Sequence, residues 1–302
     1  MRAFSYDGAG NILSDSRVGT SYVYTYNNRN RLATVTVGGS LRGTYAYNGL
    51  EQLAIRVMTD QTPSGTVHSL YDRAGNLIAE TDGTGPAGTV REYIWLPEAE
   101  IAPTSGSRTA VARPMAVVSD VSTSPVLSWV HVDHLHRPIR ITSAAKLQVW
   151  EAVWQPWGEA HSINGSVALD LRLPGQWFQI EAGLHYNWHR HYDPSIGRYT
   201  QPDPLGFVDG PSVYTYAQSS SNIRIDPTGL STTPFTPTPQ SHRKSGNQQT
   251  CDITYLCVLV GSATIGVRGS FPSTVCHYEG YGGRTRRIAR LGVWSCPRVV
   301  PC

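Results

Sequence analysis

The chain has 302 residues, with 29 Gly, 20 Pro, 16 Tyr and 8 Trp but only 16% charged residues. That mixture of turn formers and aromatics excludes a helical bundle or a coiled coil, while 40% apolar content spread along the length suffices to bury a core. The net charge of +3 is unevenly placed: residues 231–302 hold one Lys and seven Arg against Asp252 and Glu279, so the basicity belongs to the tail and the first 230 residues are net acidic.

From the N-terminus, a short pattern recurs at Tyr6-Asp7-Gly8-Ala9-Gly10-Asn11-Ile12, Tyr26 to Leu32, Tyr47 to Leu53 and Tyr71 to Leu77, at spacings of 20, 21 and 24 residues. The unit reads Tyr-[Asp/Asn]-x-x-[Gly/Asn/Glu]-x-[Leu/Ile], and four copies at near-constant spacing identify a repeat array. Between copies run alternating stretches such as Tyr22-Val23-Tyr24-Thr25-Tyr26, which predict half-buried strands. Each unit is therefore expected to be a hairpin. The Asp or Asn bonds its own backbone, and Gly or Asn at the fifth position makes the reversal sterically cheap. Packing of the tyrosines on neighbouring hairpins is favoured over sugar binding by them.

These units resemble the tyrosine-aspartate (YD) repeats of the Rhs and teneurin-type proteins, in which long arrays wind into a hollow β-sheet shell around a C-terminal toxin. The resemblance implies a mainly β fold, with YD-repeat β-hairpins forming part of a spiralling β-sheet shell, then a core (plug) segment and a small C-terminal domain. The expected divisions are repeats over 1–130, the core over 131–230, a linker over 231–250 and a variable effector over 251–302.

From His131 the pattern changes. Val132-Asp133-His134-Leu135-His136-Arg137-Pro138, Trp154-Gln155-Pro156-Trp157-Gly158, Leu171-Arg172-Leu173-Pro174-Gly175-Gln176, Gly183 to Pro194, Gly197 to Gly206 and Ile225-Asp226-Pro227-Thr228-Gly229-Leu230 follow in order. Taken as chemistry alone, the Asp-Pro pairs at Asp193, Asp203 and Asp226 are turn signals, since Asp caps the turn, Pro fixes φ and a following Gly permits the reversal. For Asp193 the turn is the preferred reading. Asp203 and Asp226 invite more: two carboxylates brought together do not both ionise easily, so one holds a proton while the other acts as a base toward water.

In order and spacing these motifs resemble the Rhs repeat-associated core domain over about a hundred residues. The resemblance implies a self-cleaving aspartyl protease that cuts after the Leu of Asp-Pro-x-Gly-Leu with two Asp and an Arg. Those roles map to Asp203, Asp226 and Arg190, with the cut between Leu230 and Ser231. Arg190 is expected to orient a carboxylate or the scissile carbonyl, against the alternative of a structural ion pair. The chain departs from the family in having Ser219-Ser220-Ser221-Asn222 where Asn-Asn-Pro is usual, and Gly210-Pro211-Ser212 where Gly-x-Asn is usual. Slower cleavage is the expected consequence. The chain is expected to be the C-terminal part of a longer shell protein, with an unpaired sheet edge that another chain covers.

Ser231 to Thr250 is a polar Pro/Ser/Thr/Gln stretch expected to be a linker. Beyond it, Thr254 to Val267 predicts a strand or hairpin, and Gly282 to Arg290 is a basic cluster that is either a solvated face or a phosphate contact. All five cysteines, Cys251, Cys257, Cys276, Cys296 and Cys302, lie in this tail. Their spacing is not that of a zinc site, so disulfides with one thiol left over are expected, with no metal and no cofactor. His277 and Glu279 are more readily surface groups than an acid and a base, and no motif assigns an effector activity.

The longest apolar run, Leu256–Val260, is too short to cross a bilayer as a helix, and the N-terminus lacks a secretory leader. The resemblance thus implies a secreted or cell-surface protein exported without a cleavable signal, whose effector is delivered into a target cell. Implied partners are an upstream Rhs shell chain, a cognate immunity protein and, for the basic tail only, nucleic acid. The competing readings are a non-cleaving structural or carbohydrate- and cell-surface-binding repeat module, and an inert copy that exchanges tails by recombination.

Overall fold

The computed structural model describes residues 2–60, 63–84, 88–96 and 112–234, together with the backbone of four strands, Leu256–Ile265, Ser273–Gly280, Arg284–Leu291 and Val299–Pro301. It divides into two compact units, Met1–Thr238 and Pro239–Cys302. Among the described residues there is no α-helix, only strands, turns and short 3-10 turns.

Fourteen strands of the first unit, from Ala3–Tyr6 to Ala160–Gly165, form one antiparallel sheet in strict sequence order. The repeat motif explains this regularity. In every copy the first residue faces the seventh across a bulge: Tyr6 opposite Ile12, Tyr26 opposite Leu32, Tyr47 opposite Leu53 and Tyr71 opposite Leu77. The second residue closes the turn with its side chain. Oδ1 of Asp7, Asn27, Asn48 and Asp72 accepts two backbone N–H groups each, from the residues two and four positions on, at 2.8–3.0 Å. The fifth residue takes the left-handed conformation, with φ of 88° at Gly10, 62° at Asn30, 63° at Glu51 and 87° at Gly75.

Two further copies emerge that the Tyr-based pattern does not pick out, Val132 opposite Pro138 and Trp154 opposite Ala160, each with the same bulge. Asp133 Oδ1 caps the first as Asp7 does, and His136 and Gly158 supply the positive φ. The sheet therefore runs unbroken across residue 130 to Gly165: the change of sequence pattern at His131 is a change of side chains on a continuing ladder. Trp also stands in for Tyr, since a second geometry serves the same purpose. Tyr26, Tyr47 and Tyr71 donate their hydroxyls to the carbonyls of Ile12, Leu32 and Leu53, each the last residue of the preceding unit, and Trp95 and Trp154 donate their indole N–H to Leu77 and Pro138. The repeat aromatics thus satisfy backbone acceptors between neighbouring hairpins, which a bare apolar side chain would leave unpaired.

One face of this sheet is covered by the chain that follows it. Leu184, Tyr186 and Ala182 pack with Tyr24, Val35 and Tyr45 of the early strands, and Leu169 and Leu171 pack with Val117, Ile141 and Trp150 of the later ones. Polar contacts fix the docking: Tyr45 donates to Glu181, the Leu53 amide donates to the Tyr186 hydroxyl, Arg31 to the His189 carbonyl and Tyr214 to the Gly10 carbonyl. A third cluster, Leu173, Tyr192, Tyr199, Tyr216, Ala217 and Ile225 with Leu135 of a sheet hairpin, forms the core of the covering segment. Its three tyrosine rings lie with centroids 4.7–5.8 Å apart. Asp193 does make the expected turn, accepting the Ser195 amide and hydroxyl, and it also pairs with Arg2, just before the first strand, and Arg17, at the end of the second.

In the second unit the four strands form an antiparallel sheet in the order Arg284–Leu291, Ser273–Gly280, Leu256–Ile265, Val299–Pro301. The strand expected near Thr254 to Val267 and the basic cluster lie on it. Residues 235–250 of the expected linker, and the side chains of the cysteines, His277 and Glu279, lie outside the described residues.

Candidate active site

The three residues singled out as a catalytic set meet at the base of the covering segment. Arg190 begins the short strand Arg190–Asp193, which pairs back on Leu184–Asn187. The loop carrying Gly229 passes close beside this hairpin: Gly229 has φ 68°, and a Cβ there would stand 2.5 Å from the Asn187 carbonyl oxygen.

Asp203 heads the turn closed by the Gly206 amide, and its Oδ1 accepts the Leu205 amide at 2.8 Å. Asp226 follows the strand Arg224–Ile225. One nitrogen of Arg190, Nη2, lies 2.9 Å from Asp203 Oδ2 and 3.1 Å from Asp226 Oδ2. All three side chains are buried, at 2% exposure or less. A single guanidinium therefore bridges two carboxylates that lie 23 positions apart in the chain. Its remaining donors reach the Gly229 carbonyl from Nε at 2.6 Å and the Val213 carbonyl from Nη1 at 3.1 Å, and its central carbon lies 3.6 Å from the centre of the Tyr199 ring. A planar fork with five donors can serve this many acceptors at once.

Asp226 is the partner richer in donors. Besides Arg190 it accepts the Tyr199 hydroxyl on Oδ2 at 2.7 Å, and on Oδ1 the amides of Leu230 and Ser231 at 3.1 and 3.2 Å. The nitrogen of the Leu230–Ser231 peptide thus faces a carboxylate oxygen directly. Burial raises the affinity of Asp203 for its proton, and the neighbouring negative charge of Asp226 adds to this, against the pull of the Leu205 amide and Arg190. The two carboxyls sit in unlike surroundings, one rich in donors and one short of them, which is the arrangement that divides acid from base.

Several features of this site were not legible as functional in the sequence. Tyr199 and Asn187 fall inside the motifs but carry no chemical signature of their own. Asn187 donates from Nδ2 to the Tyr199 hydroxyl and to the Asp226 carbonyl, holding both. Asp209 accepts the Thr232 amide and hydroxyl, and nothing in its surroundings in the sequence marks it. His189 donates from its amide and from Nδ1 to the Thr228 carbonyl, steadying the loop before the Leu230–Ser231 bond. Ser221, in the departing Ser219–Asn222 stretch, is buried and donates to the Pro156 carbonyl, and Ala217, Gln218 and Ser219 all take positive φ between 48° and 58°. With this stretch in place the three charged groups lie together.

A sequential YD-type hairpin sheet with a covering segment that carries a buried Asp–Arg–Asp cluster defines the class: a shell-type β protein with its own core segment. In sequence and fold the chain is similar to Rhs/YD-repeat proteins. It is similar to the double-stranded DNA deaminase toxin A of Burkholderia cenocepacia, 29% identical over 75% of this chain and 19% of that protein. It is also similar to the probable deoxyribonuclease RhsB of Dickeya dadantii, 28% identical over 75% of this chain and 15% of that protein. Among solved structures, the Tc holotoxin pore of Photorhabdus luminescens with a mutated TccC3 shares the fold, with a TM-score of 0.51 at 15% identity over 76% of this chain and 13% of that one. The chain spans a fifth or less of the length of each of these proteins. No family model matches the chain.

Proposed function

We propose that this chain is the C-terminal part of an Rhs-family polymorphic toxin: a shell and core that encapsulate a C-terminal effector and release it by one self-inflicted cut between Leu230 and Ser231. The observation that carries the proposal is the meeting of Asp203 and Asp226 on Arg190, with Asp226 also on the peptide nitrogen of Ser231.

The chemistry follows from the two environments. Asp226, surrounded by donors, takes a proton from water as the water oxygen attacks the Leu230 carbonyl carbon. Asp203, whose hold on a proton burial strengthens, gives its proton to the carbonyl oxygen. As the tetrahedral intermediate collapses, the C–N bond breaks, Asp226 returns its proton to the Ser231 nitrogen 3.2 Å away, and Asp203 recovers its own from the gem-diol hydroxyl. Arg190 holds both carboxyls in register and fixes the Gly229 carbonyl beside the reacting peptide. Because the substrate is tethered, proximity takes the place of a binding pocket and one turnover is enough.

The effector comprises the residues after Leu230, and the basic strand Arg284–Leu291 makes nucleic acid a reasonable target to test first. The terminal strands of the sheet order, Ala3–Tyr6 and Ala160–Gly165, offer edges for further shell strands. An immunity protein would bind the effector, and delivery into a target cell is proposed by analogy with the toxin relatives. Glycan recognition by the repeat tyrosines gains nothing from the geometry, since the hydroxyls of Tyr26, Tyr47 and Tyr71 are spent on backbone carbonyls.

The test is mass spectrometry of the full chain made in a cell-free system. A C-terminal piece beginning at Ser231 should accumulate, and neither Asp203→Asn nor Asp226→Asn should yield it. A folded wild-type chain that stays intact overturns the proposal.

A further inference from the structure

Resting on that reading, we infer that Asp209 is a positioning residue for the self-cleavage, which clamps Thr232 so that the Leu230–Ser231 peptide is held from its downstream side as well as from Asp226. Both oxygens of Asp209 take part. The Thr232 amide lies 3.0 Å from Oδ1 and 2.8 Å from Oδ2, and the Thr232 hydroxyl donates to Oδ2 at 2.8 Å.

The placement of Asp209 has no evident use other than this clamp. It ends the three-residue 3-10 turn Phe207–Asp209, which buries none of its residues and leaves Phe207 and Val208 71% and 58% exposed. Glycines with positive φ flank the turn, 78° at Gly206 and 126° at Gly210. A segment with no buried anchor is not placed by packing, so what fixes it against the residues after Leu230 is the Asp209–Thr232 contact itself. Asp203 stands at the other end of the same loop. One loop therefore presents one carboxylate to Arg190 and another to the second residue beyond the cut.

The downstream strand is then held at three successive points. The Ser231 amide is on Asp226, Thr232 is on Asp209, and Thr233 and Pro234 pair with Ile225 and Arg224. A peptide pinned on both sides of the bond keeps its carbonyl carbon in reach of the attacking water, and small losses of such alignment are expensive in rate. The clamp also sets a sequence preference. Residue 232 must carry an N–H, which excludes Pro, and a hydroxyl donor adds the third contact, which favours Thr or Ser. Finally, the charge of Asp209 acts on Asp203 through space and strengthens its hold on the proton, so Asp209 is linked to the chemistry by electrostatics and not by contact alone.

The experiment uses the full chain, recovered intact in denaturant and refolded by dilution at a series of pH values, with formation of the Ser231 fragment followed in time. Asp209→Ala and Thr232→Pro should slow the cut about 10- to 100-fold and Thr232→Val about 3- to 10-fold, with Thr232→Ser close to wild type. Asp209→Asn should also move the alkaline limb of the rate profile to lower pH, because Asp203 then gives up its proton more readily. Folding is checked by the unfolding midpoint of each variant in the non-cleaving Asp226→Asn background. If wild type is cut and Thr232→Val and Asp209→Asn match it in rate and pH profile, the clamp is overturned and the protease reading stands. If folded wild type is not cut at all, both are overturned.

Discussion

The amide nitrogen of Ser231 lies 3.2 Å from Oδ1 of Asp226, a residue five places upstream whose carboxylate is wholly buried. A buried carboxylate that turns back on the peptide following its own loop is costly to desolvate, and Arg190, Tyr199 and two amides offset that cost. The same contacts that stabilise the loop put the acid group at the bond it is proposed to cut.

Arg190 tests how much of this depends on one side chain. Arg190→Ala strands two buried carboxyls without a cation and should lower stability by about 3–5 kcal/mol, read by denaturant unfolding. Arg190→Lys keeps the charge but not the fork, so it should fold better than the alanine variant and still cut about 100-fold more slowly than wild type.

Gly229 separates loop geometry from charge. With φ at 68° and only 2.5 Å between the position of an added Cβ and the Asn187 carbonyl oxygen, Gly229→Ala must shift the loop that carries the Leu230–Ser231 bond. Cleavage should fall about 100-fold. The loss of stability should be smaller, about 1–3 kcal/mol, and the two are read together by fragment yield and urea unfolding.

The repeat aromatics make a stability prediction without a catalytic one. Tyr47→Phe removes the hydroxyl that satisfies the Leu32 carbonyl and should cost about 1–2 kcal/mol by denaturant unfolding in the Asp226→Asn background. Once corrected for the fraction folded, the cleavage rate should be unchanged.

His191 sets a pH dependence. It is buried beside Tyr45 and Tyr186, and burial together with the Arg31 charge depresses its pKa to about 3. The folded state therefore binds its proton less readily than the unfolded chain, so this contribution is complete above about pH 6.5 and is lost as pH falls toward 3. At pH 5 the loss is on the order of 2 kcal/mol. Glu181 and Asp203 work in the opposite sense, since burial raises both carboxyls and favours the folded state on acidification. His191→Gln should flatten the decline of the unfolding midpoint between pH 7 and 5.

Much of this protein is readable from its sequence because its units are local. The Tyr-Asp/Asn turn, its fifth-position reversal and the alternation between turns involve residues within seven positions of one another, so spacing alone identifies the hairpins and their sequential sheet. The copies at Val132 and Trp154 escape a tyrosine-based pattern because the bulge needs only a side chain that packs at that point, and several do. Asp203, Asp226 and Arg190 were nameable from the order of motifs. Their convergence on one guanidinium nitrogen was not, since it depends on contacts 13 to 36 positions apart and on the sheet that the segment lies against. Asp209 was invisible for the same reason: its partner is 23 residues away, and only the folded loop brings the two together. Periodicity records what neighbours do to one another, whereas the burial of Asp203 and Asp226 is a property of everything packed around them.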